Sequence, residues 1–397
     1  MAHVAGKKKQ LISRINQSLV LNTIRKNGLI ARSEIAEKTG IVKPTVTAIT
    51  HQLLKKNLIR EVGYGDSTEQ GGRRPIYLQV ANEANCLIGI DIGSHRLRGV
   101  LVDLGENVIE SISVPTPLSS KEELLDKVEE IVIVLMKVAE ENRAQIKAVG
   151  IACSGTVNSQ TGKVIKAANI SVLNGVNLAK EFKRRIKLPI AVYNAVGCSL
   201  IAEKSRAGEN SNLMLLTWGG GIGIGVSIGK KVFTGGQTAE VWDFGHIAVN
   251  PEGRKCRCGR DGCLEAYVST DALVERAQKQ GLAVNKINDL ITLALGGDPE
   301  ARVLMEDAAK LVGETLVYFL QFFRTEMLVI AGCIAELGGE IVVPHLHKAL
   351  FEKLGGAVFA DLVIQQSEIG ELSGAIGAAN YVSHLVFNTP LVELLNW

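Results

Sequence analysis

The 397-residue sequence contains no run of about 18 apolar residues, the length a membrane-spanning helix needs. Its first residues, MAHVAGKKKQLISRINQ, are basic but lack the apolar stretch and cleavage site of a secretory leader. No membrane insertion is therefore expected, and the sequence reads as that of a soluble, cytoplasmic protein. Cysteines number seven, and an odd count without a leader argues against a disulfide framework. Net charge is also small, at +3. What is present is a 46% hydrophobic fraction and 41 glycines, enough for sizeable cores and many tight turns. The length exceeds one ordinary domain and predicts two or three units.

The small net charge is unevenly placed. Residues 1–80 hold eight Lys and six Arg against five acidic residues, a net of +9 that leaves −6 for the remainder of a +3 chain. A basic front end on an acidic body suggests a nucleic-acid-binding module, although one solvated basic face would give the same balance. Residues 16–27 place Leu19, Val20 and Ile24 at helical spacing, and Asn27-Gly28 ends that helix. ARSEIAEKTG follows, with Ser33 as the expected N-cap and Gly40 as the stop. Pro44 is tolerated only in a first helical turn, so the third helix must start close to Lys43. REVGYGDSTEQGGRRPIYLQV then reads as two short strands around a basic, glycine-rich tip. Together these make a winged helix-turn-helix over residues 1–80. Lys43, Thr45 and Thr47 would face the major groove of operator double-stranded DNA, and Arg73 and Arg74 its phosphates or a narrow minor groove. A protein-interaction module of the same shape is the alternative.

The body alternates strands, glycine turns and helices. CLIGIDIGSHRLRGVLVDLGENVIESISV reads as three strands with a glycine turn at Gly93, and the helix that follows opens on the capping box Ser120-x-x-Glu123. LMLLTWGGGIGIGVSIGKKVF repeats the strand–glycine–strand theme, so a duplicated α/β architecture with a cleft between lobes is expected. Four cysteines, Cys86, Cys153, Cys198 and Cys333, lie singly in apolar runs as small core residues. The other three form His246-x9-Cys256-x-Cys258-x4-Cys263, a spacing that suits a closed tetrahedral Zn²⁺ site. A redox-sensing thiol cluster is the alternative, and Arg254, Lys255 and Arg257 would keep thiolates ionised in either case. The spacing is not that of a DNA-reading finger, and it lies far from the basic front end.

These segments together resemble the ROK family of repressors, open reading frames and sugar kinases, over essentially the whole chain. DIGSHRLRGVLVD is similar to its first phosphate loop, TWGGGIGIG to its second and AGCIAELGG to its adenosine-side loop. GHIAVNPEGRKCRCGRDGCLEAY is similar to its zinc signature, and GELSGAIGAA to its C-terminal helix. The winged helix resembles the xylose-repressor and N-acetylglucosamine-repressor branch. The resemblance implies an α/β body of the two-lobed actin-like, sugar-kinase type (a duplicated ribonuclease H-like fold). Residues 81–198 would form the first lobe, completed by a C-terminal helix at about 380–397, and 199–379 the second, with the zinc site.

By the same resemblance, sugar would be held by Asn194, Asp243, His246 and Glu265. Asp243 stands where the family's GExGH motif has glutamate, and Trp242, a stacking or merely packing residue, where it has glycine. The family's kinases keep an Asn-Asp pair whose aspartate accepts the proton of the attacking hydroxyl. Here Asn194 is followed by Ala195, whose methyl takes no proton. Ser94, His95 and Arg96 replace the small and hydroxyl residues of the first loop, and Ala331-Gly332 replaces a glycine pair. Gly219, Gly220, Gly221, Gly223 and Gly225 persist, which turn geometry alone would explain. The chain is therefore expected to be no enzyme, with structural Zn²⁺ as its cofactor and ATP absent. Expected is a sugar- or sugar-phosphate-responsive repressor of carbohydrate genes, a homodimer or homotetramer that is nucleoid-associated when bound to operator. A bifunctional kinase-regulator, or a repressor whose inducer is a transporter protein, remains the alternative.

Overall fold

The computed structural model describes residues 2–64, 74–208, 210–233, 244–354 and 361–387. The chain opens on α1 (Ala2–Asn27), which buries Val20, Leu21 and Ile24 while Leu19 turns outward. After β1 (Ile30–Ala31) comes α2 (Arg32–Thr39), whose N-cap is Ala31 and not Ser33. The Glu34 carboxylate accepts the Ala31 N–H at 2.8 Å, so the acidic half of a capping box closes the helix start and Ser33 falls inside the first turn. Gly40 ends α2 at φ +70. The third helix, α3 (Lys43–Lys55), carries Pro44 in its first turn and buries Val46, Ile49 and Leu53. Antiparallel β2 (Ile59–Tyr64) and β3 (Ile76–Val80) form the wing, with β1 on the far side of β3.

In the first lobe, β4 (Asn85–Ile92), β5 (Arg96–Asp103) and β6 (Val108–Pro115) run antiparallel. Helix α4 (Lys121–Glu141) follows. The Ser120 hydroxyl accepts from the Glu123 N–H, but the Glu123 carboxylate takes the Ser119 hydroxyl and does not reach back to Ser120. Only half of the expected box therefore forms. Next come β7 (Gln145–Cys153), β8 (Thr156–Asn158), β9 (Lys163–Lys166), α5 (Leu178–Arg185), β10 (Ile190–Asn194) and α6 (Ala195–Ala207). The sheet order is β10-β7-β4-β5-β6.

The second lobe repeats the plan. Its elements are β11 (Leu213–Trp218), β12 (Ile222–Ile228), β13 (Lys231–Phe233), α7 (Glu265–Val268), α8 (Thr270–Lys279), α9 (Ile287–Leu295), α10 (Pro299–Phe323), β14 (Met327–Ala331), α11 (Cys333–Leu354) and β15 (Val363–Gln366). Its sheet order is β13-β12-β11-β14-β15. Read from the antiparallel edge, the two sheets have the same order and the same pattern of three antiparallel strands joined to two parallel ones. The fold is thus α/β, a winged helix-turn-helix followed by a duplicated two-lobed body.

Helix α12 (Ser373–Val382) returns to the first lobe, and α13 (His384–Phe387) ends the described chain. It starts well before the expected 380. Glycines allow it to lie hard on the sheet: a Cβ on Gly89 would stand 1.9 Å from the Ala375 carbonyl oxygen, and one on Gly150 1.9 Å from that of Ala378. Helix α6 packs on α12 and on β11 and β12, so it spans both lobes, and the expected division after residue 198 falls inside it.

The winged helix is docked on the body and not tethered to it. Val20, Leu21 and Ile24 share one apolar cluster with Val100, Leu104, Val382 and Phe387. The Ser18 hydroxyl and the Asn22 amide both donate to the Phe387 carbonyl, at 2.6 and 2.8 Å, and the Arg25 guanidinium lies over the Phe387 ring.

Candidate metal centre and interlobe cleft

The segment from His246 to Cys263 folds as a small knuckle. Val249 N–H donates to Gly262 O, Gly262 N–H to Arg254 O and Cys256 N–H to Arg260 O, all at 2.8–2.9 Å. Only glycine fits at Gly262, where φ is +70 and a Cβ would meet the Asn250 carbonyl oxygen at 1.6 Å. This framing brings one donor atom each from His246, Cys256, Cys258 and Cys263 within 4.8 Å of one another. His246 Nδ1 lies 3.6 Å from Cys256 Sγ, and the Cys258 and Cys263 sulfurs are 3.7 Å apart. A tetrahedral ion with metal–sulfur bonds of about 2.3 Å and metal–nitrogen bonds of about 2.0 Å has N–S and S–S edges of about 3.5 and 3.8 Å. The observed edges match, so the donor set and its spacing fit a divalent metal.

The thiols agree. Burial raises Cys256 and pushes Cys263 up to about 12, with the adjacent Cys258 adding to the latter. Burial also acts against the Cys258 thiolate, but hydrogen bonds from Arg260 and the neighbouring thiols outweigh it and bring the thiol down to about 7. Three thiols in contact cannot all ionise without a cation among them. The three cations expected to assist are engaged elsewhere: Arg254 pairs with Glu275 at 3.0 Å, Lys255 with Asp261 at 3.2 Å and Arg257 with Asp271 at 2.8 Å. Arg260, beside them in the same turn, takes that role.

Immediately after the knuckle, Glu265 is buried where the two lobes meet. Its carboxylate accepts from Ile222 N–H and from the Asn169 amide, both at 3.3 Å. Asn169 belongs to the first lobe and was not foreseen; no local signal marks it. Asn194 is also buried, and its carboxamide makes two hydrogen bonds to backbone. It accepts from Gly197 N–H at 3.1 Å, capping α6, and donates to Gly155 O at 2.7 Å. Ala195 is the first residue of that helix. Asp243 and Trp242 lie outside the described residues, as does Arg73.

Next to Glu265, the glycine turn after β11 meets the turn after β4. A Cβ on Gly220 would stand 2.7 Å from Ser94 Oγ and 2.9 Å from the His95 ring, so the turn after β4 rests directly on the turn after β11. Arg96 reaches Ser113 at 2.7 Å. Arg98 lies between Asp91, at 3.7 Å, and Glu371, at 2.8 Å. Burial pushes the Asp91 carboxyl up to about 6, with partial relief from Arg98. Because this lies above the ordinary aspartate value of 3.8, the group's contribution to stability is complete below 3.8 and is lost as pH rises through about 6. Asp91→Asn has no charge to bury and is expected to gain on the order of 2 kcal/mol over wild type above about pH 7, with no gain near pH 4. Thermal melts at the two pH values check this; an equal gain at both would mean that ionisation is not the cause.

On the winged helix, Lys43 and Thr47 are exposed at the start of α3, whereas Thr45 is half-buried. The same outward face continues through His51, Gln52 and Lys55, whose helical spacing from Lys43 and Thr47 places them there. Arg74 is exposed at the foot of the wing. Arg32 ties the unit together, donating to Thr50 Oγ1 at 3.1 Å and pairing with Glu61 at 2.8 Å.

Comparison with known proteins gives the same two-part division. The ROK family model matches residues 87–384 and the MarR family model residues 14–61. The chain is 30% identical over 385 residues to the xylose repressor of Caldicellulosiruptor bescii, with 92% of this chain and 95% of that protein covered. Among solved structures it is similar to a ROK family transcriptional regulator described as a homolog of the E. coli MLC protein. That likeness has a TM-score of 0.79 at 22% identity and covers 95% of this chain and 97% of the other. A ROK family glucokinase from Streptomyces griseus, solved with glucose and AMPPNP, matches at TM-score 0.67 and 26% identity over 75% of this chain and 99% of its own.

Proposed function

The chain belongs to the ROK family, and from that premise we propose that it is a DNA-binding, sugar-responsive transcriptional repressor of carbohydrate genes whose kinase-like body senses and does not phosphorylate. The observation that carries this is the end of β10. The Asn194 carboxamide is anchored to Gly155 and Gly197, and the next side chain is the Ala195 methyl, so no carboxylate follows Asn194 to take a proton from a sugar hydroxyl. The close packing of Ser94 and His95 on Gly220, in the turns that resemble the family's phosphate loops, supports the same reading. Of the glucose and AMPPNP held by the related glucokinase, only the sugar half is carried over to this chain.

In this reading a structural Zn²⁺ is held by His246, Cys256, Cys258 and Cys263. The metal fixes His246 through Nδ1 and leaves Nε2 for the ligand. Glu265, Asn194 and Asp243 supply further polar groups for sugar hydroxyls. Lys43, Thr45, Thr47, Arg73 and Arg74 contact operator DNA, and a palindromic site is met by a homodimer or homotetramer acting in the cytoplasm. The Glu106 carboxylate is a route between the two halves. It accepts from Arg25 of α1 at 3.2 Å, from Asn380 of α12 at 3.1 Å and from the Ser205 hydroxyl of α6, whose first turn Asn194 caps.

The test uses the full chain to select duplexes from a random library, then measures binding by anisotropy with D-xylose, N-acetylglucosamine and their phosphates added. A selected sequence that one sugar releases, with no ATP-dependent sugar phosphorylation above buffer, is the expected result. Failure to select any duplex, or phosphoryl transfer to a sugar, sinks the proposal. Selection without release by any sugar would instead favour a protein inducer such as a transporter subunit. Arg74→Gln is expected to weaken binding to every duplex alike and to lower the salt slope by about one. An unchanged slope removes Arg74 from the interface.

A further inference from the structure

The knuckle does more than present His246. Arg257 and the Cys258 carbonyl, inside its metal-binding turn, both point across the cleft to the first lobe. Lys166, at the end of β9, donates to Cys258 O at 2.9 Å. Arg257 donates to Asn169 Oδ1 at 3.5 Å and pairs with Asp271 at 2.8 Å. The other oxygen of Asp271 lies 3.8 Å from His95 Nε2, which is also 3.4 Å from Thr270 Oγ1. One edge of the cleft is therefore stitched by Lys166, Asn169 and His95 from the first lobe against Cys258, Arg257 and Asp271 from the second.

We propose that the metal knuckle is the clasp of the cleft: the ion between Cys256 and Cys258 sets the position of the Arg257 guanidinium and the Cys258 carbonyl, and these hold the lobes closed through Lys166, Asp271 and His95. The inference rests on the reading of the cleft as a sensor site and names how that site is held shut. Its chemistry suits a reversible closure. His95 and Arg257 are each more than half exposed, at 54% and 55%, and such pairs are individually weak. Several acting along one edge bias closure without locking it. A ligand between Asn169, Glu265 and His246 then has only a modest difference to supply. The metal thereby acts on the first lobe without touching it.

The experiment takes the full-length, zinc-loaded protein without added sugar and compares wild type with Lys166→Met, Arg257→Met and the double variant. None of these removes a metal ligand. Amide hydrogen exchange is followed in peptides covering residues 163–170 and 219–223, with zinc stoichiometry and small-angle scattering on the same samples. The double variant is expected to keep its zinc, to exchange about three- to tenfold faster in both peptides and to scatter as a more open particle. Lys166→Arg, which keeps the donor, is expected to restore the wild-type rate. Exchange and scattering unchanged in the double variant overturn the proposal. Loss of its zinc does so too, because the residues would then serve metal retention and not closure. Binding of the unliganded double variant to a selected duplex tests the winged helix separately, so a failed repressor assignment is distinguishable from a failed clasp.

Discussion

Replacing Cys263 by serine is expected to abolish metal binding and to lower the melting temperature of the second lobe by about 10 °C. Cys263 is the most deeply buried of the four donors, at 1% exposure, and its thiol is the one held highest, at about 12, before a cation is present. A serine hydroxyl there does not ionise in the accessible pH range and is a poor ligand for a soft or borderline ion. The loop does not lose all its order, because Val249, Cys256 and Gly262 keep their backbone hydrogen bonds. The cost is therefore a fraction of a zinc-finger's metal dependence, on the order of 3–5 kcal/mol. Zinc measured by mass spectrometry should fall from one equivalent per chain to near zero. DNA binding without effector should persist, since the winged helix docks on the first lobe through Phe387 and Glu106. Retention of a full equivalent of zinc would remove Cys263 from the ligand set.

Much of this was legible in the sequence because the relevant signals are local. The glycine turns, the Cys-x-Cys-x4-Cys spacing, the helix start forced by Pro44 and the Asn194-Ala195 pair each lie within about ten residues. The clasp was not legible: Lys166 meets Cys258 across 92 residues, and Asn169 meets Glu265 across 96. No periodicity announces contacts of that separation. The same holds for Arg25 and Glu106, 81 residues apart. Ser33 was misread for a different reason. A serine before an apolar turn is a good N-cap, but β1 pairs with β3 through Ile30 and Ala31 and fixes the helix entry two residues earlier. Glu34 then completes that end. Arg254, Lys255 and Arg257 were read by proximity along the chain, whereas the knuckle turns their side chains to Glu275, Asp261 and Asp271 and leaves Arg260 to the thiols.

Gly377→Ala is expected to be the most damaging methyl-sized change where α6 and α12 meet. A Cβ at that position would stand 1.7 Å from the Cys198 carbonyl oxygen and 2.3 Å from its carbon. The obstacle is the backbone of α6, which no rotamer change relieves, so α6 and α12 must separate. That separation also pulls α12 from the sheet, where Ala375 and Ala378 touch Gly89 and Gly150. Overpacking of this kind costs about 3 kcal/mol or more, a fall in melting temperature on the order of 10 °C. Gly175→Ala is the matched control. It has φ +76 but nothing within 4 Å of its Cβ, so it carries only the backbone strain, about 1 kcal/mol. The contrast has a functional side. Helix α6 begins at the Asn194 cap beside the cleft, and its Ser205 reaches Glu106, the carboxylate that also holds Arg25 of α1. If α12 is the surface on which α6 bears, a partly folded Gly377→Ala protein at low temperature should still bind its duplex but lose release by the sugar. Melting and release both equal to wild type would show that α6 does not bear on α12, and the route through Glu106 would have no fulcrum.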